Sequence, residues 1–156
     1  MLFGNGNRSD TVALTQPTIE LLNGGSHSDV IEGGGGRDKM RGAGGDDILR
    51  GQGAGDEIYG GRGADSAWGG DSNDQIYPGV GDDFAYGEAG DDIIEDAFGT
   101  DGNDAFKGGR GGDVLTGYGG NDELLGGSGP GTNRGGPGVD TCRSPRLGPA
   151  AENCEL

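Results

Sequence analysis

Polar and apolar positions recur every nine residues along most of the chain. Residues 24–95 divide without a gap into eight units: GGSHSDVIE, GGGGRDKMR, GAGGDDILR, GQGAGDEIY, GGRGADSAW, GGDSNDQIY, PGVGDDFAY and GEAGDDIIE. Gly opens seven of the eight, Asp is always sixth, and the eighth position is always apolar. Residues 96–98 interrupt the phase, and five more units, GTDGNDAFK, GGRGGDVLT, GYGGNDELL, GGSGPGTNR and GGPGVDTCR, carry it on to Arg143. A fixed period of this kind signals an array of stacked units rather than a single globular core.

Within each unit the first six positions are Gly-rich and lack apolar periodicity, as suits a turn that needs positive φ or close backbone approach. The last three predict a short strand. Side chains alternate along a strand, so an inward eighth position leaves the seventh and ninth facing solvent. The expected interior file is Ile31, Met40, Leu49, Ile58, Ala67, Ile76, Ala85, Ile94, Phe106, Leu115, Leu124 and Cys142, with Asn133 the polar misfit. Two units make one coil, and stacked coils give two parallel sheets, an all-β solenoid.

The pattern resembles the repeats-in-toxin (RTX) nonapeptide family, whose motif is G-G-x-G-x-D-x-U-x with U a large apolar residue. The resemblance covers residues 24–143, with the sixth-position Asp in twelve of thirteen units. Thirteen in-phase copies make it specific, where one copy would be weak. It implies a right-handed parallel β-roll with several calcium ions in its turns. The metal ligands it implies are Asp29, Asp38, Asp47, Asp56, Asp65, Asp74, Asp83, Asp92, Asp104, Asp113, Asp122 and Asp140.

Elementary chemistry points the same way. One inward apolar side chain per unit is a thin core for a chain with 40 glycines, which lose more freedom on folding than any other residue. Stacked turns also set one carboxylate above the next at strand spacing, a repulsion of roughly 1 kcal/mol per pair even in water. A divalent cation between successive turns removes that repulsion and crosslinks the coils. Carboxylates and backbone carbonyls form an all-oxygen donor set, which suits calcium. Odd units are expected to stack Asp29, Asp47, Asp65 and Asp83, and even units Asp38, Asp56, Asp74 and Asp92. If residues 96–98 bulge from one turn, the odd column continues through Asp104, Asp122 and Asp140. The even column continues through Asp113 and ends at Gly131. Fifth-position Asp46, Asn73, Asp82, Asp91, Asn103 and Asn121 read as turn residues around the same ions.

Charge narrows the partners. The chain has 27 acidic and 11 basic side chains, a net charge of −16, which argues against nucleic acid and anionic membranes. Gly excess with high charge would by itself suggest disorder, but disorder needs no strict phase. No apolar run approaches the ~20 residues of a membrane span. Residues 1–10 show neither a charged n-region nor an apolar h-region, so no signal peptide is visible; it has been removed, or the export signal lies outside the chain.

The flanks depart from the period. Residues 1–23 read as degenerate repeats or an N-terminal cap: a unit at 5–13 keeps Asp10 sixth and an apolar Val12 eighth, and a unit at 15–23 puts Leu22 in the inward position. Residues 144–156 contain Pro145, Pro149 and Cys154 and read as a C-terminal capping tail. A Cys142–Cys154 disulfide is expected to pin that tail, which implies an oxidising, extracytoplasmic setting.

Outward ninth positions carry Tyr59 and Tyr77 on one face and Trp68 and Tyr86 on the other, so each face should stack two aromatics one coil apart. Aromatics favour strand surfaces in any case; the alternative is a platform for a carbohydrate or a protein partner. His27, the only histidine, has no nucleophile arranged with it, and Gly51-Gln52-Gly53 mimics a phosphate loop without the following helix. The chain therefore reads as a non-enzyme. The leading function is an extracellular structural protein, a calcium-stiffened rod that folds on binding calcium and packs end to end as a homo-oligomer, in filaments or a surface layer. The alternative is a calcium-dependent folding and secretion domain of a larger secreted enzyme or toxin. An adhesive module is less favoured, and an ice-binding one lacks the regular outward Thr or Asx file it needs.

Overall fold

A computed structural model describes residues 2–3, 11–13, 21–96 and 102–143. Its strands in chain order begin with β1 (Leu2–Phe3), β2 (Thr11–Ala13), β3 (Leu21–Gly25), β4 (Val30–Gly34), β5 (Lys39–Gly44), β6 (Ile48–Gln52), β7 (Glu57–Arg62) and β8 (Ser66–Asp71). They continue with β9 (Gln75–Val80), β10 (Phe84–Ala89), β11 (Ile93–Glu95), β12 (Ala105–Arg110), β13 (Val114–Thr116), β14 (Glu123–Ser128), β15 (Thr132–Arg134) and β16 (Thr141–Arg143). Odd-numbered strands form one parallel sheet and even-numbered strands the other, each in sequence order. From β3 and β4 to the interruption, successive strands of a sheet pair 18 residues apart, as in Lys39 with Glu57 and Ile48 with Ser66; the first step is 20 residues from β1 to β3 and 19 from β2 to β4. The chain is thus an all-β solenoid of about seven coils, two units to a coil.

Across the interruption the pairing step becomes 21 residues in both sheets: Phe84 pairs with Ala105 and Ile93 with Val114. The extra residues are absorbed without a slip of register, so every inward position stays inward. The bulge expected there falls mostly on residues outside the described set.

The core is the single file per sheet that the period predicts. Leu22, Met40, Ile58, Ile76, Ile94 and Leu115 face Ile31, Leu49, Ala67, Ala85, Phe106 and Leu124, all at most 1% exposed. Cys142 packs half-buried against the end of this file. Asn133 takes the inward position of β15 at 1% exposure and resolves the misfit by spanning the core. Its Nδ2 donates to the Leu124 carbonyl at 3.0 Å and to the Arg143 carbonyl at 2.9 Å, tying together the last two strands of the facing sheet. Seventh and ninth positions face outward throughout, except Thr116. It is buried beside its register partner Glu95, whose carboxylate accepts the Tyr118 hydroxyl at 2.7 Å.

The strands are longer than the three residues expected. Ten of the sixteen run through positions seven to nine and on into the first two or three of the next unit, so the turn proper is shorter. The reason is backbone pairing between glycines, as in Gly61 with Gly79, which needs no side-chain periodicity and so leaves none to read.

The conformational demand is sharpest at the second position, where every described residue has positive φ. Most are Gly; Ala43, Gln52, Glu88 and Tyr118 adopt φ between 68° and 86° at a steric cost. A left-handed conformation costs an L-residue about 1–2 kcal/mol, more than the roughly 0.5–1 kcal/mol of extra chain entropy that Gly loses. Gln52→Gly is therefore expected to stabilise the calcium-saturated roll by up to about 1 kcal/mol. An unchanged or lowered midpoint in thermal melting would count against this account.

Candidate metal centre

Each turn is held by its sixth-position Asp, which clasps the neighbouring coil in two ways. Its carbonyl accepts the seventh-position N–H one coil on, as Asp29 does from Ile48 and Asp56 from Gln75, both at 2.9 Å. Its own N–H donates to Oδ1 of the next Asp in the column. Asp29, Asp47, Asp65, Asp83, Asp104, Asp122 and Asp140 link successively along one edge of the roll, and Asp38, Asp56, Asp74, Asp92 and Asp113 along the other, at 2.7–3.1 Å. The structure thus brings the twelve sequence-predicted residues into the two expected columns, all of them buried.

The second carboxylate oxygen is different. Oδ2 of Asp47, Asp56, Asp65, Asp74, Asp83, Asp92, Asp104, Asp113, Asp122 and Asp140 is buried without a hydrogen-bond partner. In most units it lies against the opening Gly, where a side chain would collide with it; Pro78 and Asp96 are the described departures from Gly in that slot. A Cβ on Gly51 would stand 2.2 Å from Asp56 Oδ2 and 2.5 Å from the Gly69 carbonyl oxygen of the next coil. A Cβ on Gly42 would stand 2.2 Å from Asp47 Oδ2 and 2.7 Å from the Gly60 carbonyl oxygen. Fourth-position carbonyls stack in the same turns: a Cβ on Gly63 would lie 2.2 Å from Gly45 O, and one on Gly81 1.9 Å from Gly63 O.

The turns carrying these ten Asp therefore present bare carboxylate oxygen beside stacked carbonyl oxygens. Among the described residues no three acidic, imidazole or thiol side chains already converge as a metal cluster. The donor set is instead one carboxylate per turn supplemented by backbone, hard and all-oxygen, which fits calcium and suits neither zinc nor copper.

Burying these carboxylates costs free energy while they are charged. Desolvation is the largest influence on each, partly opposed by the N–H from the previous coil, with neighbouring acids often adding to it. It pushes Asp74 and Asp104 up to about 8, Asp47, Asp56 and Asp83 to about 7, and Asp65, Asp92 and Asp122 to about 6; Asp113 is raised as well. Carboxyls held so far above their ordinary 3.8 are poised to exchange protons for a cation.

Fifth positions build a second ladder of opposite direction. Here the later residue's N–H donates back to the earlier side chain: Ala64 to Asp46, Asp91 to Asn73, Asn103 to Asp82, Gly112 to Asp91, Asn121 to Asn103 and Val139 to Asn121, at 2.7–3.0 Å. Asp and Asn serve equally because only an acceptor oxygen is needed.

One buried acid was missed by motif reading. Asp96, 3% exposed, fills the first-position slot between Pro78 and Gly117 and accepts the Gly79 N–H at 3.3 Å. Its negative charge is among the influences raising Asp83, Asp104 and Asp122. The available signal was its spacing, nine residues after Gly87.

The outward aromatics follow expectation on one sheet only. Tyr59 and Tyr77 stack with centroids 4.9 Å apart at 19°. Trp68 does not stack on Tyr86, its register partner; it tilts against Phe84, the diagonal neighbour, at 5.5 Å and 50°, with the Arg50 guanidinium over its ring at 5.2 Å. Diagonal neighbours on a sheet face are within reach of long side chains, and the cation holds the indole turned that way. The expected Cys142–Cys154 bridge involves Cys154, which lies outside the described residues.

Four copies of a family model for the RTX calcium-binding nonapeptide repeat match the chain, at residues 23–53, 50–85, 79–95 and 98–132. The chain belongs to that family, and its fold is the structural calcium-binding β-roll. No curated protein matches it as a relative. Among the described residues no helix is long and apolar enough to cross a membrane.

Proposed function

We propose that this chain is an extracellular structural protein, a non-enzymatic rod that folds on binding several calcium ions and extends end to end. The observation that carries it is the row of buried Oδ2 atoms without partners. A buried, unpaired charge is costly unless something binds it. In this reading Asp29, Asp38, Asp47, Asp56, Asp65, Asp74, Asp83, Asp92, Asp104, Asp113, Asp122 and Asp140 are the carboxylate ligands, and carbonyls of the stacked turns complete each ion's shell. Bound calcium neutralises the turns and locks adjacent coils together. The chain's own residues supply the rest: Oδ1 sets the spacing of the turns, and first-position Gly leaves the space.

Calorimetric titration, with metal content measured after dialysis, tests this reading. Several calcium ions per chain are expected, bound in preference to magnesium, which demands stricter octahedral geometry. One ion or none per chain would overturn it.

Extension is favoured by the strand order. Among the described residues each sheet runs from β1 or β2 at one end to β15 or β16 at the other, and edge strands template further pairing. A second copy that continues the stack makes a heterologous contact, which yields an open filament. Sedimentation in calcium should show species that grow with protein concentration; a monomer at every concentration counts against assembly. A Cys142–Cys154 bridge belongs to the same proposal, tying residues 144–156 to the last coil in an oxidising compartment.

A further inference from the structure

The four ninth-position aromatics differ in what their rings touch. Tyr59 and Tyr77 cover one another, with Lys39 over Tyr59 at 4.8 Å, and Trp68 is enclosed by Phe84 and Arg50. Tyr86 makes no ring or cation contact among the described residues, although its register partner is Lys107. The Lys107 ammonium leans over Phe84 instead, at 5.4 Å.

Tyr86, Lys107, Arg110, Leu125 and Ser128 line a trough of about 330 Å³ on the outer face of the even-numbered sheet. Its floor is Gly109 and Gly127, at φ of 120° and 87°, where a Cβ would stand 2.2 Å from the Glu88 carbonyl oxygen and 2.1 Å from the Gly109 carbonyl oxygen, respectively; the bare backbone of these two units is what opens the space. No acidic side chain lines it, in a chain with 27 acidic and 11 basic residues. The neighbouring trough beside Arg50 and Trp68 contains Glu88. Lys39 is bonded to Glu57 at 2.7 Å and Arg50 to Glu32 at 3.5 Å, whereas Lys107 and Arg110 have no ion-pair partner among the described residues.

We propose that this trough binds an acidic polysaccharide, a linear chain of sugar rings bearing carboxylate or sulfate groups. An open tyrosine face with Leu125 beside it suits the apolar face of a sugar ring. Lys107 and Arg110 supply charge-assisted hydrogen bonds to the anionic groups. Ser128 Oγ, which donates to the Gly109 carbonyl at 3.3 Å, keeps lone pairs for a sugar hydroxyl. The ninth-position file runs on from Tyr86 through Lys107 and Leu125 to Arg143, so a polymer lying along the solenoid axis meets a further cation two coils on. The acidic turns that repel a polyanion lie at the edges of the roll, and calcium neutralises them. The site requires a folded roll and to that extent rests on the calcium reading.

The test uses the full chain in calcium with two probes, dextran sulfate and unsulfated dextran. Dextran sulfate is expected to bind and dextran not. A Lys107→Gln/Arg110→Gln double variant should bind roughly ten-fold more weakly, the equivalent of about 1.4 kcal/mol, and Tyr86→Ala several-fold more weakly, while Tyr77→Ala is unchanged. Circular dichroism of each variant in calcium establishes that the roll has formed, so loss of the site is distinguished from failure of calcium-driven folding. Undiminished binding by the double variant would mean that calcium in the turns bridges to the polymer, and the proposal fails. Equal affinity for duplex DNA, or no binding by a folded roll, overturns it as well.

Discussion

In chelator at pH 8 the β-sheet signal of this chain is expected to be largely absent, and acidification through pH 8 to 6 should restore part of it. The direction follows from the buried carboxyls, which burial lifts to about 8 at Asp74 and Asp104 and to about 7 at Asp47, Asp56 and Asp83. A carboxyl whose folded pKa exceeds its unfolded one favours the fold while protonated. That contribution is fully present below the ordinary value of 3.8 and is lost as pH rises through the folded value. Above pH 8 the metal-free roll must hold two columns of buried anions. Calcium reverses the dependence, because cation and proton compete for the same oxygens: in calcium the fold persists at pH 8, and the calcium midpoint rises as pH falls. Far-UV circular dichroism against pH, in chelator and in calcium, reads both limbs. A β signal that persists at pH 8 in chelator, or one that only weakens on acidification there, would contradict the carboxylate account.

Much of this was legible in the sequence because the period does two jobs at once. The eighth position had only to alternate against its neighbours to identify Ile31, Met40 and the rest as core, and the structure buries them. The sixth had only to recur to place its carboxylates in columns, which the interstrand hydrogen bonds join. What stayed hidden depended on contacts between coils. The need for positive φ or close approach in the Gly-rich turns was legible, but not which position needs which: the opening Gly of most units is fixed by the Oδ2 pressed against it, and the second position by positive φ. Strand length was underread because glycine pairs without patterning. Trp68 left its register partner for a diagonal ring under the pull of Arg50, a choice made by three side chains from three coils. Asp96 escaped because the interruption hid its phase.

Asp74→Ala is expected to impair calcium-dependent folding far more than Asp140→Ala, although both remove one carboxylate of the same motif. Asp74 sits inside its column: Oδ1 accepts the Asp56 N–H at 2.7 Å, its own N–H donates to Asp92 Oδ1 at 2.9 Å, and Oδ2 is buried without a partner. Truncation leaves the Asp56 N–H buried without its acceptor, a penalty of about 1–3 kcal/mol, and deletes a ligand as well. In a one-dimensional stack stability is a sum over units and nearest-neighbour interfaces, so an interior break uncouples the coils on both sides. Asp140 accepts the Asp122 N–H at 2.9 Å but is the last carboxylate of its column among the described residues, and its loss shortens the stack by one turn. A calcium titration followed by far-UV circular dichroism should therefore show the Asp74→Ala midpoint raised roughly ten-fold, about 1.4 kcal/mol per decade of ion, and its transition broadened. Asp140→Ala bares the Asp122 N–H in the same way but uncouples no coil beyond it, so its midpoint should move clearly less than that of Asp74→Ala. Asp74→Asn separates the two losses, because an amide oxygen can still accept the Asp56 N–H while the charge is gone. If the ligand matters more than the hydrogen bond, Asn behaves like Ala. Equal midpoints for the interior and terminal variants would mean that the turns bind independently and that no coupling runs along the roll.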